Sequence, residues 1–146
     1  MPSVSYLVKH YMRKEVPTID GNATAIEGAK TMVKLGRGFL IILREGQPAG
    51  IVTEGDYVTK IVAQNKDPAK TTVAQIMSTP LITIDPDEDL IKASELMHEH
   101  NIRRLPVLKD GIVYGSITTK DISRALGQYV DRSVRDLMRW AAPFGQ

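Results

Sequence analysis

The sequence predicts an α/β (α+β) fold built from two tandem β-α-β-β-α units. Three observations predict it: an internal repeat, a regular alternation of strand-like and helix-like segments, and the composition of an ordinary globular chain. The chain has 146 residues, of which 42% are hydrophobic, 25% charged and 5% aromatic, with no cysteine. That length suits one compact domain or two small subdomains sharing a core. A chain of this size buries roughly 70% of its unfolded surface and needs no disulfide or metal staple. The absence of cysteine excludes thiolate catalysis, Cys-ligated zinc and disulfides. Nineteen basic against 17 acidic residues leave a formal charge of +2, too small for a nucleic-acid binder driven by bulk charge. No apolar run approaches the roughly 18 residues that span a bilayer. The opening MPSVSYLVKHYMRKE has no signal-type hydrophobic core. A cytoplasmic protein without membrane association is expected.

The repeat emerges when the chain is slid by 65 residues without gaps. Of the 54 positions from 8 to 61, 13 are identical at that offset, where chance gives roughly 3 or 4. Met12 through Asp20 falls on Met77 through Asp85, Met32 on Met97, Arg44-Glu-Gly46 on Lys109-Asp-Gly111, and Gly50 through Asp56 on Gly115 through Asp121. The pattern Val73-Ala-Gln-Ile-Met77 recurs as Val134 through Met138 and opens the chain as Val8 through Met12. The expected organisation is a first repeat over 8–65, a linker over 66–72, a second repeat over 73–130, and a C-terminal helix or tail over 131–146 that completes the module.

Each element has a local cause. In the second copy, 81–84 is a short β-branched run that reads as a strand. Asp85-Pro-Asp-Glu88 then supplies an N-cap, Pro at the first helical position and an acidic first turn. An apolar stripe through Leu90, Ala93, Leu96 and Met97 makes the helix, and Asn101 stops it in the left-handed region. Strand 105–108, the Asp110-Gly111 turn and strand 113–117 make a hairpin. Thr118 caps a helix running to about 126. The first copy follows with a strand over 16–19, a helix over 23–35, strands over 39–44 and 49–52, and a helix over 54–65. A unit of about 60 residues buries too little alone, so the two share a core.

The repeated element Gly-Φ-Φ-Thr-x-x-Asp (Φ apolar) sits where a strand ends and a helix begins, as Gly50…Thr53…Asp56 and Gly115…Thr118…Asp121. Read plainly, it is a capping box. Read functionally, the free N–H groups of a helix start receive an anion, the carboxylate accepts both hydroxyls of a ribose, and the threonine donates to a sugar or phosphate oxygen. Just upstream of the second element, Arg103 and Arg104 precede a strand. They read as forked phosphate donors or as solvated charges guarding a sheet edge.

In order and spacing, Met77-x-x-x-Leu-Ile-Thr-Ile, Ile102-Arg103-Arg104-Leu105-Pro106-Val107, Asp110-Gly111 and Gly115-Ser-Ile-Thr118-Thr-Lys-Asp121 resemble the CBS domain, the module named after cystathionine β-synthase. The resemblance covers about residues 8–140 as a tandem pair. It implies a pseudo-twofold module with two clefts for adenosyl compounds: AMP, ADP, ATP, S-adenosylmethionine and, in some members, NAD. It also implies that two pairs associate as a disc-shaped dimer. By the same resemblance, Asp121 holds the ribose diol, Thr118 a sugar or phosphate oxygen, and Arg103 and Arg104 the phosphate. Backbone near Thr83, with Ile82, Ile117 and Val107, makes the adenine slot. In the first copy Thr53 and Asp56 match, with Thr18, Pro17 and Val52 as slot. The copies differ: Gly38 and Phe39 stand where the arginines are, Gly55 where Lys120 is, and Glu54 where Thr119 is. The Asp121 cleft is therefore expected to hold phosphate better and the Asp56 cleft to be weak, empty or selective for a less charged adenosyl group, with Arg103 or Lys120 also able to serve the first cleft.

Other residues read as structural. His98 and His100 lie about 200° apart on a helix and cannot share a metal as an i, i+4 pair does. Gly36-Arg-Gly38 reads as a helix stop, and the methionines as core fillers. Lys9, His10, Arg13 and Lys14 read as a solvated helix face. Arg132, Arg135, Arg139, Trp140 and Phe144 read as a terminal helix packing on the core or a dimer face. No nucleophile, metal cluster or general base stands out, so an enzyme is not expected. The expectation is a regulatory module that senses an adenosyl ligand and signals through a homodimer or an unidentified effector protein. The alternative is a structural or dimerisation scaffold with empty clefts.

Overall fold

The structure, a computed structural model, describes residues 6–127. The third copy of the repeat pattern at 134–138 and the expected terminal helix with its arginines and aromatics lie outside those residues. The elements are α1 (Val8–Tyr11), β1 (Thr18–Asp20), α2 (Ala25–Leu35), β2 (Phe39–Arg44), β3 (Gln47–Thr53), α3 (Glu54–Tyr57), α4 (Val73–Ile76), α5 (Leu90–His100), β4 (Arg104–Lys109) and β5 (Ile112–Thr118). A π-helical turn, Val58–Val62, continues α3. A further helix, α6, starts at 119.

Strand β1 runs parallel to β2, which pairs antiparallel with β3; β4 and β5 form the matching antiparallel pair. The two hairpins carry the same register shift, between Ile42 and Leu43 and between Val107 and Leu108. They also share the same turn. Glu45 and Gly46 have φ of 53° and 77°, and Asp110 and Gly111 have 52° and 76°. Two consecutive positive-φ residues give the turn whose twist matches the flanking strands.

Local chemistry sets the ends of the long helices. Thr24 and Glu27 form a capping box on α2, and Gly36 ends it at φ 63°. Asn101 ends α5 in the left-handed region, as its sequence position predicts. The start of α5 differs from expectation. Asp85 accepts from the amide of Asp87 at 2.8 Å and makes a turn, while Asp89 caps the helix by accepting from Lys92 N, also at 2.8 Å. Asp89 is the counterpart of Thr24, so the repeat register locates this cap better than the local Asp-Pro signal. The expected strand over 81–84 shrinks to one parallel bridge, Ile84 to Val107. The cause is Pro106. In the first copy Ile41 N donates to Pro17 O at 2.8 Å; the counterpart of Ile41 is Pro106, which has no N–H to give.

The two hydrophobic cores exchange their opening segments. One core gathers Ala25, Leu40, Ile42, Val52 and Ile61 of the first repeat with Val73 and Ile76 of α4. The other gathers Leu90, Leu105, Val107 and Ile117 of the second repeat with Val8 of α1. Backbone bonds fix each exchange: Val73 N to Ala23 O at 2.8 Å, and Val8 N to Glu88 O at 2.8 Å. Met32 and Met97 are buried, as core fillers should be. Among the described residues no helix is long and apolar enough to cross a membrane.

On the surface, Asp87 holds α1 to the second repeat by pairing with Lys9 at 2.9 Å and Lys109 at 2.8 Å. Hydrogen bonds from Lys109 and then Lys9 bring its pKa down to about 2. A carboxylate lowered in the folded state stabilises above its unfolded pKa and loses that contribution as pH falls toward the folded value. The stability gap between the wild type and Asp87→Asn is expected to be constant above pH 5, to close between about pH 4 and 2, and to shrink in high salt because the pairs are half-exposed. Urea unfolding across pH checks this; a gap unchanged at pH 2 would contradict it.

Candidate functional site

The repeated Thr-x-x-Asp elements fold as the capping boxes their spacing suggests. Asp56 Oδ2 accepts from Thr53 N at 2.8 Å, and Asp121 Oδ2 accepts from Thr118 N at 3.0 Å. Both aspartates are buried, 7% and 5% exposed. Their second oxygens are also engaged, and differently. Asp56 Oδ1 takes Lys60 Nζ at 2.8 Å and the Ser78 hydroxyl at 3.1 Å. Asp121 Oδ1 takes Arg13 Nε at 3.4 Å.

Ser78 and Arg13 are counterparts, and the exchanged segments bring each one there. Ser78 exchanges backbone hydrogen bonds with Ile51, at 2.8 and 3.2 Å, and Arg13 with Ser116, both at 2.9 Å. The glycine before each pairing position lets the chains touch. A Cβ on Gly50 would lie 2.9 Å from Ser78 O, and one on Gly115 would lie 2.4 Å from Arg13 O.

Beside each box lies a groove. The first, about 430 Å³, runs between Thr53-Glu54-Gly55 with Ile51 on one side, Ser78 and Pro80-Leu81-Ile82 on another, and Asn101 to Arg104 at the end. The second, about 310 Å³, is formed by Thr118-Thr119-Lys120, Arg13 and Gly36 to Phe39, again with Arg103 and Arg104. The grooves are related by the 65-residue offset. Phe39 and Arg104 are counterparts and stack on each other, with Arg104 Cζ 5.1 Å from the ring centroid. Equivalent residues that touch mark the pseudo-twofold axis, so the two grooves meet there.

This geometry redistributes the expected site. Ile82, expected beside Asp121, lines the groove of Thr53, because the segment that opens each repeat packs on the other one. Val52, Val107 and Ile117 are fully buried in the cores and line neither groove. Strand alternation explains this, since Ile51 and Thr53 face the groove and Val52 between them faces inward. Pro17, Thr18 and Thr83 line neither groove. Arg103 and Arg104 line both, so the arginine pair alone does not rank one cleft above the other for phosphate. Lys120 lines the second groove. His98 and His100 are exposed, and among the described residues no group of three His, Cys, Asp or Glu gathers as a metal site.

Two groove residues, Arg13 and Arg37, are assigned to no cleft by the sequence. Arg13 reads as part of a solvated basic face, yet it reaches Asp121. Arg37 donates to Ser116 Oγ at 3.1 Å and to Glu15 O at 3.3 Å, with Cζ 5.1 Å from the Phe39 centroid. Glu54 lies against Gly38 and in the field of Arg104. Burial lowers the pKa of both Arg104 and Arg37, and neighbouring guanidinium groups add to the effect. Counterpart alignment pairs Arg13 with Ser78 and Arg37 with Ile102, so the repeat itself conceals them.

Comparison with known proteins fits this geometry. Residues 8–63 and 73–128 each match the family model described as CBS domain. Protein MK0525 of Methanopyrus kandleri is 40% identical over 84% of this chain, which spans 62% of that protein's length. The CBS domain-containing protein YhcV of Bacillus subtilis is 33% identical over 80% of this chain and 82% of its own. Among solved structures, the CBS domain pair of protein MJ0100, in complex with 5′-methylthioadenosine and S-adenosyl-L-methionine, superposes with a TM-score of 0.78. It is 34% identical and covers 86% of this chain and 99% of its own.

Proposed function

The chain belongs to the CBS-domain family as a tandem pair, and from that premise we propose that it is a regulatory module sensing an adenosyl compound, AMP, ADP or ATP foremost, in the groove beside Thr53. The observation that carries this is the groove's division of labour. Its volume of about 430 Å³ lies in the ordinary range for small-molecule sites, about 300–1,000 Å³. Ile51, Leu81, Ile82 and Ile102 give an apolar wall for a base. Thr53 and Ser78 give hydroxyls for a sugar, with the Asp56 carboxylate behind them. Arg103 and Arg104 stand at the end where an anionic group would lie. The relative of known structure, 34% identical, holds two adenosyl compounds, which supports the same ligand class here.

The groove's walls come from both repeats. A ligand that touches both favours one arrangement of the two, and only by binding that arrangement better than the other. The output passes through a second copy of the chain or an effector protein, and the module itself does no chemistry. The rival reading, a scaffold with empty grooves, draws on the fact that both aspartates are already engaged as caps.

Asp56→Asn separates the two readings, because the amide oxygen can still accept from Thr53 N while the charge is lost. Isothermal titration with AMP and ATP is expected to show roughly 10- to 150-fold weaker binding than wild type, the worth of a charge-assisted hydrogen-bond pair. In the wild type, a ligand at 100 times its dissociation constant is expected to add about 2.7 kcal/mol to stability. If AMP, ADP, ATP, S-adenosylmethionine and 5′-methylthioadenosine all leave the melting temperature unmoved at millimolar concentration, the scaffold reading stands.

A further inference from the structure

The second groove is not a copy of the first, and we propose that it is a polyanion site taking a diphosphate or longer phosphate chain without a nucleoside. Its lining holds five cations, Arg13, Arg37, Arg103, Arg104 and Lys120, and no carboxylate among the described residues. The acids nearby are fewer: Asp121 on Arg13, Glu54 against Arg104, and Glu15 in the field of Arg37.

A nucleoside has no seat there. The apolar wall of the first groove, Ile51, Leu81, Ile82 and Ile102, has as counterparts Ser116, Val16, Pro17 and Arg37. Of these only Arg37 reaches the second groove, and Ser116 is fully buried with its hydroxyl bonded to Arg37. The one aromatic ring, Phe39, has both Arg37 and Arg104 stacked 5.1 Å from its centroid.

An anion, in contrast, meets donors already in place. Arg37 is held by Ser116, by Glu15 O and by the ring, so its fork is oriented before anything binds. Arg104 is braced on the same ring, and its Nε is buried without a hydrogen-bond partner among the described residues. Gathering like charges in a partly buried place is unfavourable until an anion neutralises them. Because Arg103 and Arg104 line both grooves, an anion here is felt at the adenosyl groove.

The phosphate chain has two possible sources, a free pyrophosphate or the tail of a nucleotide seated in the first groove, and titration distinguishes them. Pyrophosphate and tripolyphosphate are titrated alone into the wild type, Arg37→Gln and Lys120→Ala; AMP and ATP are titrated into the same three proteins. The last variant removes an exposed cation and keeps the test open should Arg37→Gln unfold. With a free anion as source, pyrophosphate binds without nucleotide, each variant weakens it roughly 10-fold, and AMP affinity is unchanged. With a nucleotide tail as source, pyrophosphate alone does not bind, ATP binds at least 10-fold tighter than AMP, and the variants remove that advantage. Pyrophosphate not binding and ATP equal to AMP would overturn the proposal. So would binding of either that both variants leave intact. AMP binding to the wild type reads the first groove separately, so failure of one site is distinguishable from failure of the other.

Discussion

A fragment spanning residues 14–78 is expected to fold better than one spanning 8–65, although the second matches the sequence repeat and the first does not. The first repeat's core contains Val73 and Ile76, 0% and 1% exposed. Full burial of such a side chain contributes about 1.5–3 kcal/mol, so losing both removes about 3–6 kcal/mol, comparable to the whole stability of many domains. The cut at 65 also leaves backbone groups without their partners, among them Ala25 N (bonded to Thr71 O), Ile26 N (to Pro68 O), Ala23 O (to Val73 N), Gly21 O (to Ala74 N) and both backbone groups of Ile51 (to Ser78). At its other end the same fragment carries Val8 with nothing to bury it, since Val8 belongs to the second core. Amide dispersion in a nitrogen–proton correlation spectrum and helical ellipticity are the measurements. Both units are small and marginal, so the expectation is a difference: native-like dispersion in 14–78 and collapse of dispersion in 8–65. Equal spectra would mean that the exchanged segments contribute no more than loose surface contacts.

That exchange also separates what is legible in the sequence from what is not. Features set within a few residues come through: the Asp110-Gly111 turn, the Asn101 stop, the β2 and β4 strands, and the Thr-x-x-Asp caps. The repeat comes through because it needs only comparison of the chain with itself. The crossing of α1 and α4 does not, because a four-residue helix can dock on either repeat with the same apolar residues, and no local pattern says which. The site follows the crossing. Ile82 therefore sits beside Thr53 rather than Thr118, and Arg13 leaves its basic run to meet Asp121. Smaller departures have smaller causes. Pro106 silences one ladder donor and shortens a strand to a bridge, while α3 passes into a π turn at Val58 for which the sequence offers no signal.

Gly115→Ala is expected to cost about 3 kcal/mol, with a melting temperature lower by about 10 °C, although alanine is the smallest change available. The new Cβ would sit 2.4 Å from the backbone oxygen of Arg13 and 2.9 Å from Met12 Sδ. A methionine end can swing aside, but the carbonyl cannot. It accepts from Ser116 N at 2.9 Å while Arg13 N donates to Ser116 O at 2.9 Å. Relief requires lifting the segment, which breaks both bonds at about 1 kcal/mol each and loosens Val8 from its core. At Gly50 the backbone oxygen is farther, 2.9 Å from the new Cβ, with the flexible Met77 sulfur at 2.7 Å, so Gly50→Ala should cost less. Gly46→Ala is the reference. Nothing lies within 4 Å of its Cβ, and only the strain of φ 77° is felt, about 1 kcal/mol. Urea midpoints should rank the three in that order. If Gly115→Ala proves no worse than Gly46→Ala, Arg13 is not clamped to β5. A displaced Arg13 would also vacate Asp121 and remove one cation from the second groove. The same variant should therefore weaken pyrophosphate binding while AMP binding beside Thr53, which touches none of these atoms, persists in the folded fraction.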